Sequence, residues 1–308
     1  MVTRLGRYEV DELLARGGMG EVYRGRLVAA HGFERPLVIK MIRTELLANE
    51  RAALMFIDEA RIAAGLHHRN ILQIVDFDRF DDGAFLVTEP VEGCDLRVLL
   101  THLRAPPRYE VALTIISELA TGLHAAHEAS GPDGAPLNLV HRDVSPSNVL
   151  LGRLGEIKLS DFGVAKARMR SYHTVSGSIK GKAPYMAPEQ IVGAHVDRRA
   201  DVFSLGVLLF EVTTRARLYS GKADATAMKL IIDGWVPDPA EIRPGYPAEL
   251  AAIVRRALAR DPDQRYPTAQ ALVEDIDALA RQRHWNLSCT AVGELVRVIE
   301  QRARGGAA

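Results

Sequence analysis

Three short motifs in fixed order constrain this chain more than any other feature. His141-Arg142-Asp143-Val144-Ser145-Pro146-Ser147-Asn148 comes first, Asp161-Phe162-Gly163 follows eighteen residues after Asp143, and Ala187-Pro188-Glu189 lies beyond a Gly/Ser-rich loop. An ordered set of this kind points to chemistry rather than to fold support alone. It sits in the part of the chain where the apolar pattern is helical. After Gly93, long amphipathic or apolar segments over 110–128, 200–214, 223–233, 247–260 and 268–283 are separated by polar loops.

The first ninety residues read differently. Stretches 8–14, 21–28, 37–42, 71–77 and 85–88 are strand-like, with Gly-rich or polar connections. One helix interrupts them over 51–66, where Leu54, Ile57, Ala60 and Ala64 recur at three- and four-residue spacing. The composition break at 89–95, a short acidic Pro/Gly stretch, is the natural boundary between a small sheet with one helix and a mainly helical part. The fold class is therefore α+β, in two lobes. Near the end, Val292, Leu295, Val296 and Ile299 share one face, as a docking helix or simply a capped end.

Composition excludes several functions. With 308 residues, 47% hydrophobic and 25% charged, the chain is that of an ordinary globular protein of one or two domains. Lys+Arg and Asp+Glu both number 39, so nothing indicates a globally basic nucleic-acid binder. Cys94 and Cys289 fit neither a disulfide framework nor a zinc spacing, in keeping with a reducing compartment. The N-terminus lacks the apolar stretch of a signal peptide, and the best apolar run, 202–212, is too short for a membrane span and reads as a buried helix. A cytoplasmic location is expected. His124 and His127, at helical spacing with no carboxylate or Cys nearby in sequence, read as core or surface residues rather than metal ligands.

The segment Ala15-Arg16-Gly17-Gly18-Met19-Gly20-Glu21-Val22 lies between two strand-like runs. Glycines there let backbone N–H groups approach phosphate oxygens where a Cβ would collide, although a glycine cluster between strands is commonly just a hairpin turn. Lys40, ending the strand Leu37-Val38-Ile39-Lys40, could pair with phosphates, or be a solvated surface residue. Glu59, nineteen residues on in the amphipathic helix, could hold that ammonium in place or belong to the solvated face.

Taken together, these residues resemble the protein kinase family, specifically the eukaryotic-like (Hanks-type) Ser/Thr kinases of bacteria, over about residues 8–283. The resemblance implies a catalytic domain over 1–284 (N-lobe 8–88, hinge 89–95, C-lobe 96–284) and a helical tail over 285–308. It implies that Gly17, Gly18 and Gly20 cover the ATP phosphates, that Val22 lies over the adenine with Val38 in the same pocket, and that Lys40 pairs with Glu59 and holds the α- and β-phosphates. Glu89-Pro90-Val91 would form the hinge with Thr88 as gatekeeper, Asp95 would lie near the ribose, and Leu150 would form the pocket floor. Asp143 would accept or orient the proton of a substrate hydroxyl, and Asn148 and Asp161 would hold Mg²⁺, with Mn²⁺ as an alternative. Glu189 would pair with Arg265, and Asp201 would brace the catalytic loop. The implied partners are protein substrates, including a second copy of the chain phosphorylated in trans, with no nucleic acid.

The sequence departs from the family at three places. Ala15 replaces the first glycine of the loop. Ser145 stands where Ser/Thr kinases carry a lysine that reaches toward the γ-phosphate. The segment Gly181-Lys182-Ala183-Pro184-Tyr185 lacks the usual threonine after its glycine. Lys182 is accordingly a candidate to supply the ammonium that Ser145 lacks, the alternative being a solvated or substrate-selecting lysine. Residues 164–186 hold Lys166, Arg168, Arg170, Lys180 and Lys182 with no Asp or Glu. Such a segment welcomes phosphate, and Ser171, Tyr172, Thr174, Ser176 and Ser178 are acceptors for autophosphorylation there. Two rival functions are a nucleotide-responsive pseudokinase and a small-molecule phosphotransferase. Ser145 and Lys182 also leave dual or Tyr specificity open.

Overall fold

Strands buried on one face need alternating apolar residues, and the N-terminal segments supply them. The structure is a computed structural model and describes residues 3–17, 20–42, 60–80, 83–161, 183–219 and 224–305. Its described residues fall into two units, one of residues up to 68 with 72–90, the other of 69–71 with 91 onward.

The first unit is a six-stranded antiparallel sheet in the order β1-β2-β3-β4-β6-β5, with β1 (Thr3–Leu5), β2 (Tyr8–Gly17), β3 (Gly20–Val28), β4 (Glu34–Ile42), β5 (Ile74–Phe80) and β6 (Gly83–Thr88). One face carries the core, formed by Leu5, Tyr8, Val10, Leu37, Ile39, Phe85 and Val87, with Tyr8 edge-on to Phe85 at 5.8 Å between centroids. The short β1 is not evident in the sequence; it folds back on β2 through Gly6, whose φ of +57° suits glycine. The strand expected over 71–77 runs instead from Ile74 to Phe80. Its expected start is held by the second unit, where Ile71 bridges Leu159 and the Asn70 Nδ2 donates to the Ile157 carbonyl at 2.9 Å. Of the helix expected over 51–66, only 60–64 lie among the described residues as helix, with Ala60, Ala63 and Leu66 buried nearby.

The second unit is built around two long helices, α2 (Tyr109–His127) and α4 (Arg199–Thr214). Every residue of α4 from Ala200 to Thr214 is buried, which explains an apolar run with no polar face. Gly206 allows this, because a Cβ there would lie 2.9 Å from the Ala257 Cβ of α7 (Ala248–Ala257). Around them lie α1 (Leu96–His102), α3 (Pro188–Val192), α5 (Asp224–Asp233), α6 (Pro239–Ile242), α8 (Ala269–Arg283) and α9 (Cys289–Gly305). Caps are local: the Asp95 carboxylate accepts from Val98 N at 2.7 Å to start α1, and the Thr268 hydroxyl accepts from Ala271 N at 3.1 Å to start α8. A three-stranded antiparallel sheet, β7 (Gly93–Asp95), β8 (Val149–Gly152) and β9 (Ile157–Leu159), completes the unit. These strands are too short for their alternation to be recognised in sequence.

Two buried polar pairs lock the helices. The Arg265 guanidinium donates to both oxygens of Glu189 at 2.7 and 2.9 Å, and to the carbonyls of Ala259, Arg260 and Arg199. This ties α3 to the segment before α8, as expected. Arg265→Ala leaves the Glu189 carboxylate buried and unpaired, so the variant should lose about 3–5 kcal/mol of stability in urea unfolding.

The second pair joins the 3-10 turn Ala183–Tyr185 to α4. The Tyr185 hydroxyl donates to Glu211 Oε2 at 2.9 Å, and Leu218 N donates to Oε1 at 3.2 Å. Burial outweighs these donors and pushes the Glu211 carboxyl up to about 7. An acid whose folded pKa is raised contributes stability fully below its unfolded value, 4.5, and loses it as pH rises toward 7. Wild type should therefore lose about 3 kcal/mol between pH 4.5 and 7 from this group. Glu211→Gln should flatten the decline, as measured by urea midpoints across that pH window.

Candidate active site

The first unit contributes one sheet face. Strand register sets Val22 opposite Lys40, Lys40 opposite Leu86, and Val38 opposite Thr88. Since Ile39 and Val87 point into the core cluster, alternation puts Val22, Val38, Lys40 and Thr88 on the other face, side by side. Four residues expected around a nucleotide are thus assembled by pairing alone. Thr88 is buried and Lys40 half-buried. At the glycine-rich turn, Gly17 lies opposite Gly20, and Ala15 pairs with Val22 on a strand whose register shifts twice. Gly20 has a φ of +151°, and a Cβ there would lie 1.7 Å from the Met41 carbonyl oxygen, so only glycine fits. Glu89 is tied across the sheet edge, its N–H donating to Gln73 O at 3.1 Å and its carboxylate accepting from Gln73 N at 2.8 Å. Gly18 and Glu59 lie outside the described residues.

The second unit holds the loop from His141 to Asn148. Its anchor is Asp201, fully buried on the first turn of α4. Asp201 Oδ2 accepts from His141 N at 2.8 Å and from His127 Nε2 at 2.7 Å, and Oδ1 accepts from Arg142 N at 2.8 Å. Burial alone would raise the Asp201 carboxyl, but His127, His141 and the Arg142 N–H hold it below the ordinary carboxylate value. Two successive N–H groups aimed at one carboxylate force a tight turn, and Arg142 takes a φ of +63°. His141 extends the brace, with Nε2 donating to Ser160 O at 3.0 Å and Nδ1 accepting from Asp143 N at 3.2 Å.

Asp143 is buried, with its side chain gripped by Asn148. The Asn148 Nδ2 donates to the Asp143 carbonyl at 2.7 Å and to its Oδ2 at 3.1 Å. Both amide hydrogens are used, which leaves the Asn148 Oδ1 as the atom available to a cation. The Asn148 carbonyl accepts from Ser160 N at 2.8 Å and Ser160 Oγ at 3.2 Å, which brings the next residue, Asp161, beside Asn148. Asp161 is exposed and has a φ of +58°. A neutral amide oxygen and an exposed carboxylate are hard donors of the kind that would hold Mg²⁺. Among the described residues no group of three or more His, Cys, Asp or Glu could hold a metal by itself.

Ser145 is buried, its hydroxyl 3.3 Å from the Ser147 hydroxyl, so neither of these positions brings a cation to Asp143. Lys182 and the rest of 162–182 lie outside the described residues. Asp95 and Leu150 are directly opposite in the β7–β8 ladder, and Val91 begins the second unit half-buried.

Two contributors are invisible in the sequence reading. His127 is taken there for a core or surface residue because its carboxylate partner lies seventy-four residues away. Gln190 supports the loop from α3, its Nε2 donating to the Arg142 carbonyl at 3.0 Å while its Oε1 accepts from Ala187 N. Only its position after Ala187-Pro188-Glu189 could have flagged it.

Comparisons with known proteins meet this geometry. The family profile described as "Protein kinase domain" matches residues 8–275. The tyrosine-protein kinase MasK of Myxococcus xanthus is 42% identical over 275 residues, covering 88% of this chain and 43% of that protein. The serine/threonine-protein kinase PknL of Mycobacterium tuberculosis is 34% identical over 276 residues, covering 90% of this chain and 66% of its own. The chain thus spans about two-fifths of MasK. The crystal structure of the Mycobacterium tuberculosis PknI kinase domain superposes with a TM-score of 0.67 at 26% identity, covering 90% of this chain and 97% of that one. With the antiparallel sheet, the helical unit and the profile spanning most of its length, the chain belongs to the protein kinase family, among the eukaryotic-like (Hanks-type) kinases of bacteria.

Proposed function

We propose that this chain is a Mg-ATP-dependent protein kinase that transfers the γ-phosphate to Ser or Thr hydroxyls of proteins, itself included. The observation that carries the reading is the Asn148 amide bridging the carbonyl and carboxylate of Asp143, on a loop fastened to buried Asp201. That amide orients the Asp143 carboxylate, whose role is to orient the incoming hydroxyl and take its proton. Lys40 binds the α- and β-phosphates, with Glu59 as its partner. In the first unit, Gly17, Gly18 and Gly20 are assigned to the phosphates and Val22, Val38, Thr88 and Glu89 to the adenine; in the second, Val91 and Leu150 are assigned to the adenine and Asp95 to the ribose. Asn148 and Asp161 hold the metal. Mg²⁺, or Mn²⁺ in its place, supplies charge neutralisation on the phosphates when bound. Little covalent help is needed, since positioning and electrostatics supply most of the rate. The catalytic domain is assigned to 1–284 and the tail to 285–308, in the cytoplasm.

The first test is incorporation of labelled phosphate from Mg-ATP into the purified protein and a general acceptor protein. Asp143→Asn and Lys40→Met should each reduce labelling by about a hundredfold or more. Label should appear on Ser and Thr, and mass spectrometry should find phosphate between residues 164 and 186. No wild-type transfer, despite nucleotide binding by thermal shift, would make the chain a binding module.

A second reading concerns the acceptor. The relative MasK carries the name of a tyrosine kinase, and Ser145 removes the lysine that marks Ser/Thr kinases. Phosphotyrosine in the same assay would favour dual specificity. For either acceptor, we assign to Lys182 the cation missing at Ser145. Lys182→Met should lower kcat by about tenfold or more. The swapped pair Ser145→Lys/Lys182→Thr should recover most of it, and an intact kcat in Lys182→Met rejects the assignment.

A further inference from the structure

The C-terminal helix α9 lies beyond the region matched by the kinase profile, yet it is built into the second unit. Its buried face is Val292, Val296 and Ile299, and it packs on β7, β8, α1 and α2. The approach to it is fastened first. Trp285 stacks on Tyr109 at 5.2 Å, the Arg243 guanidinium sits 3.7 Å from the centroid of the Tyr109 ring, and Ser288 N donates to the Thr114 hydroxyl at 3.0 Å.

The contact with the β8–β9 turn is closer than side-chain packing. A Cβ on Gly293 would lie 2.6 Å from the Arg153 carbonyl oxygen and 2.8 Å from Gly155 N. Reciprocally, a Cβ on Gly155, whose φ is +95°, would lie 2.2 Å from the Cys289 carbonyl oxygen. Two glycines, one on each partner, therefore let backbone meet backbone. Arg153 closes the joint. Its Nε and Nη2 donate to Glu300 at 2.6 and 2.9 Å, its carbonyl accepts from Arg297 Nη1 at 2.5 Å, and its N–H donates to the Glu92 carbonyl at 2.8 Å. One residue thus links α9, the end of β8 and the residue before β7.

Strand β8, which leads into this turn, is paired with β7. Asp95 is opposite Leu150, while Cys94 and Leu151, the next pair, point to the opposite face, where Leu151 is fully buried. Burial and the carboxylates of Asp95 and Glu300 push the Cys94 thiol up to about 12, in keeping with a face covered by α9. We propose that α9 is a positioning element for nucleotide binding. Clamped through Arg153–Glu300 and the Gly155–Gly293 approach, it fixes from behind the β7–β8 strand pair whose front carries Asp95 and Leu150.

The inference rests on the nucleotide pocket proposed above, and the test separates the two. Gly293→Val, Glu300→Ala and the swapped pair Arg153→Glu/Glu300→Arg are compared with wild type in the full chain. The readouts are the KM for Mg-ATP, the KM for the acceptor protein, and amide exchange of 93–95 and 149–152. Gly293→Val and Glu300→Ala should raise the ATP KM by about fivefold and speed exchange in the β7–β8 pair, with acceptor KM unchanged, and the swap should recover part of the loss seen in Glu300→Ala. If Gly293→Val fails to fold, Glu300→Ala and the swap carry the comparison alone. An ATP KM within about twofold of wild type in every folded variant overturns the role of α9 and leaves the kinase reading intact. A wild type that neither binds nucleotide nor transfers phosphate overturns the kinase reading, and this inference with it.

Discussion

The second unit depends on one buried carboxylate. Asp201 has no exposure, and it accepts from two consecutive backbone N–H groups and from His127. An ionised group in that position is costly unless fully partnered, and its partners are the residues that shape the catalytic loop. The cost of burying the charge is offset only when His141 and Arg142 adopt the turn that presents Asp143. The left-handed backbone at Arg142 is held in the same way, since relaxing it would strip a donor from Asp201. Chain reversal, loop conformation and the direction of Asp143 are therefore set by a single desolvated acceptor at the start of α4.

From that anchor the order spreads by short bonds. His141 reaches Ser160, Asn148 grips Asp143 and also Ser160, and Asp161 follows. The carboxylate proposed to orient the hydroxyl and one metal-ligand candidate, Asn148, thus share one hydrogen-bond network, and the other candidate, Asp161, is next in sequence to its member Ser160. Ser145 sits inside this network without a charge to contribute, its hydroxyl turned to Ser147. That is why the cation is proposed to come from Lys182.

The first unit uses a different device. Among the described residues, strand register gathers Val22, Val38, Lys40 and Thr88 on one face, because residues opposite one another in the ladder share a face. A one-residue slip of β4 would exchange Lys40 for Ile39, exposing core and burying an ammonium. The core cluster behind the sheet and the glycine at position 20 together exclude that slip. The α9 joint adds a third device, in which two glycines allow backbone contact and an Arg–Glu fork holds it.

The sequence by itself determined the kind of protein and named the residues of its proposed chemistry. Asp143, Asn148, Asp161 and Lys40 stand in motifs whose order and spacing are legible residue by residue, and the long helices announce themselves through their apolar pattern. So does the pairing of Glu189 with Arg265, although only through resemblance, since seventy-six residues separate them. Tertiary structure decided what local pattern cannot encode. The three-residue strands β1, β7 and β9 exist because neighbours pair with them, and β5 starts late because residues 69–71 are held by the second unit. His127 gained its role from a carboxylate on another helix, and the shared face of Val22 and Lys40 from register. An amphipathic tail became an integral helix because Gly155 and Gly293 let it approach the β8–β9 turn. Each of these rests on contacts between residues far apart in the chain, which periodicity and motif spacing do not record.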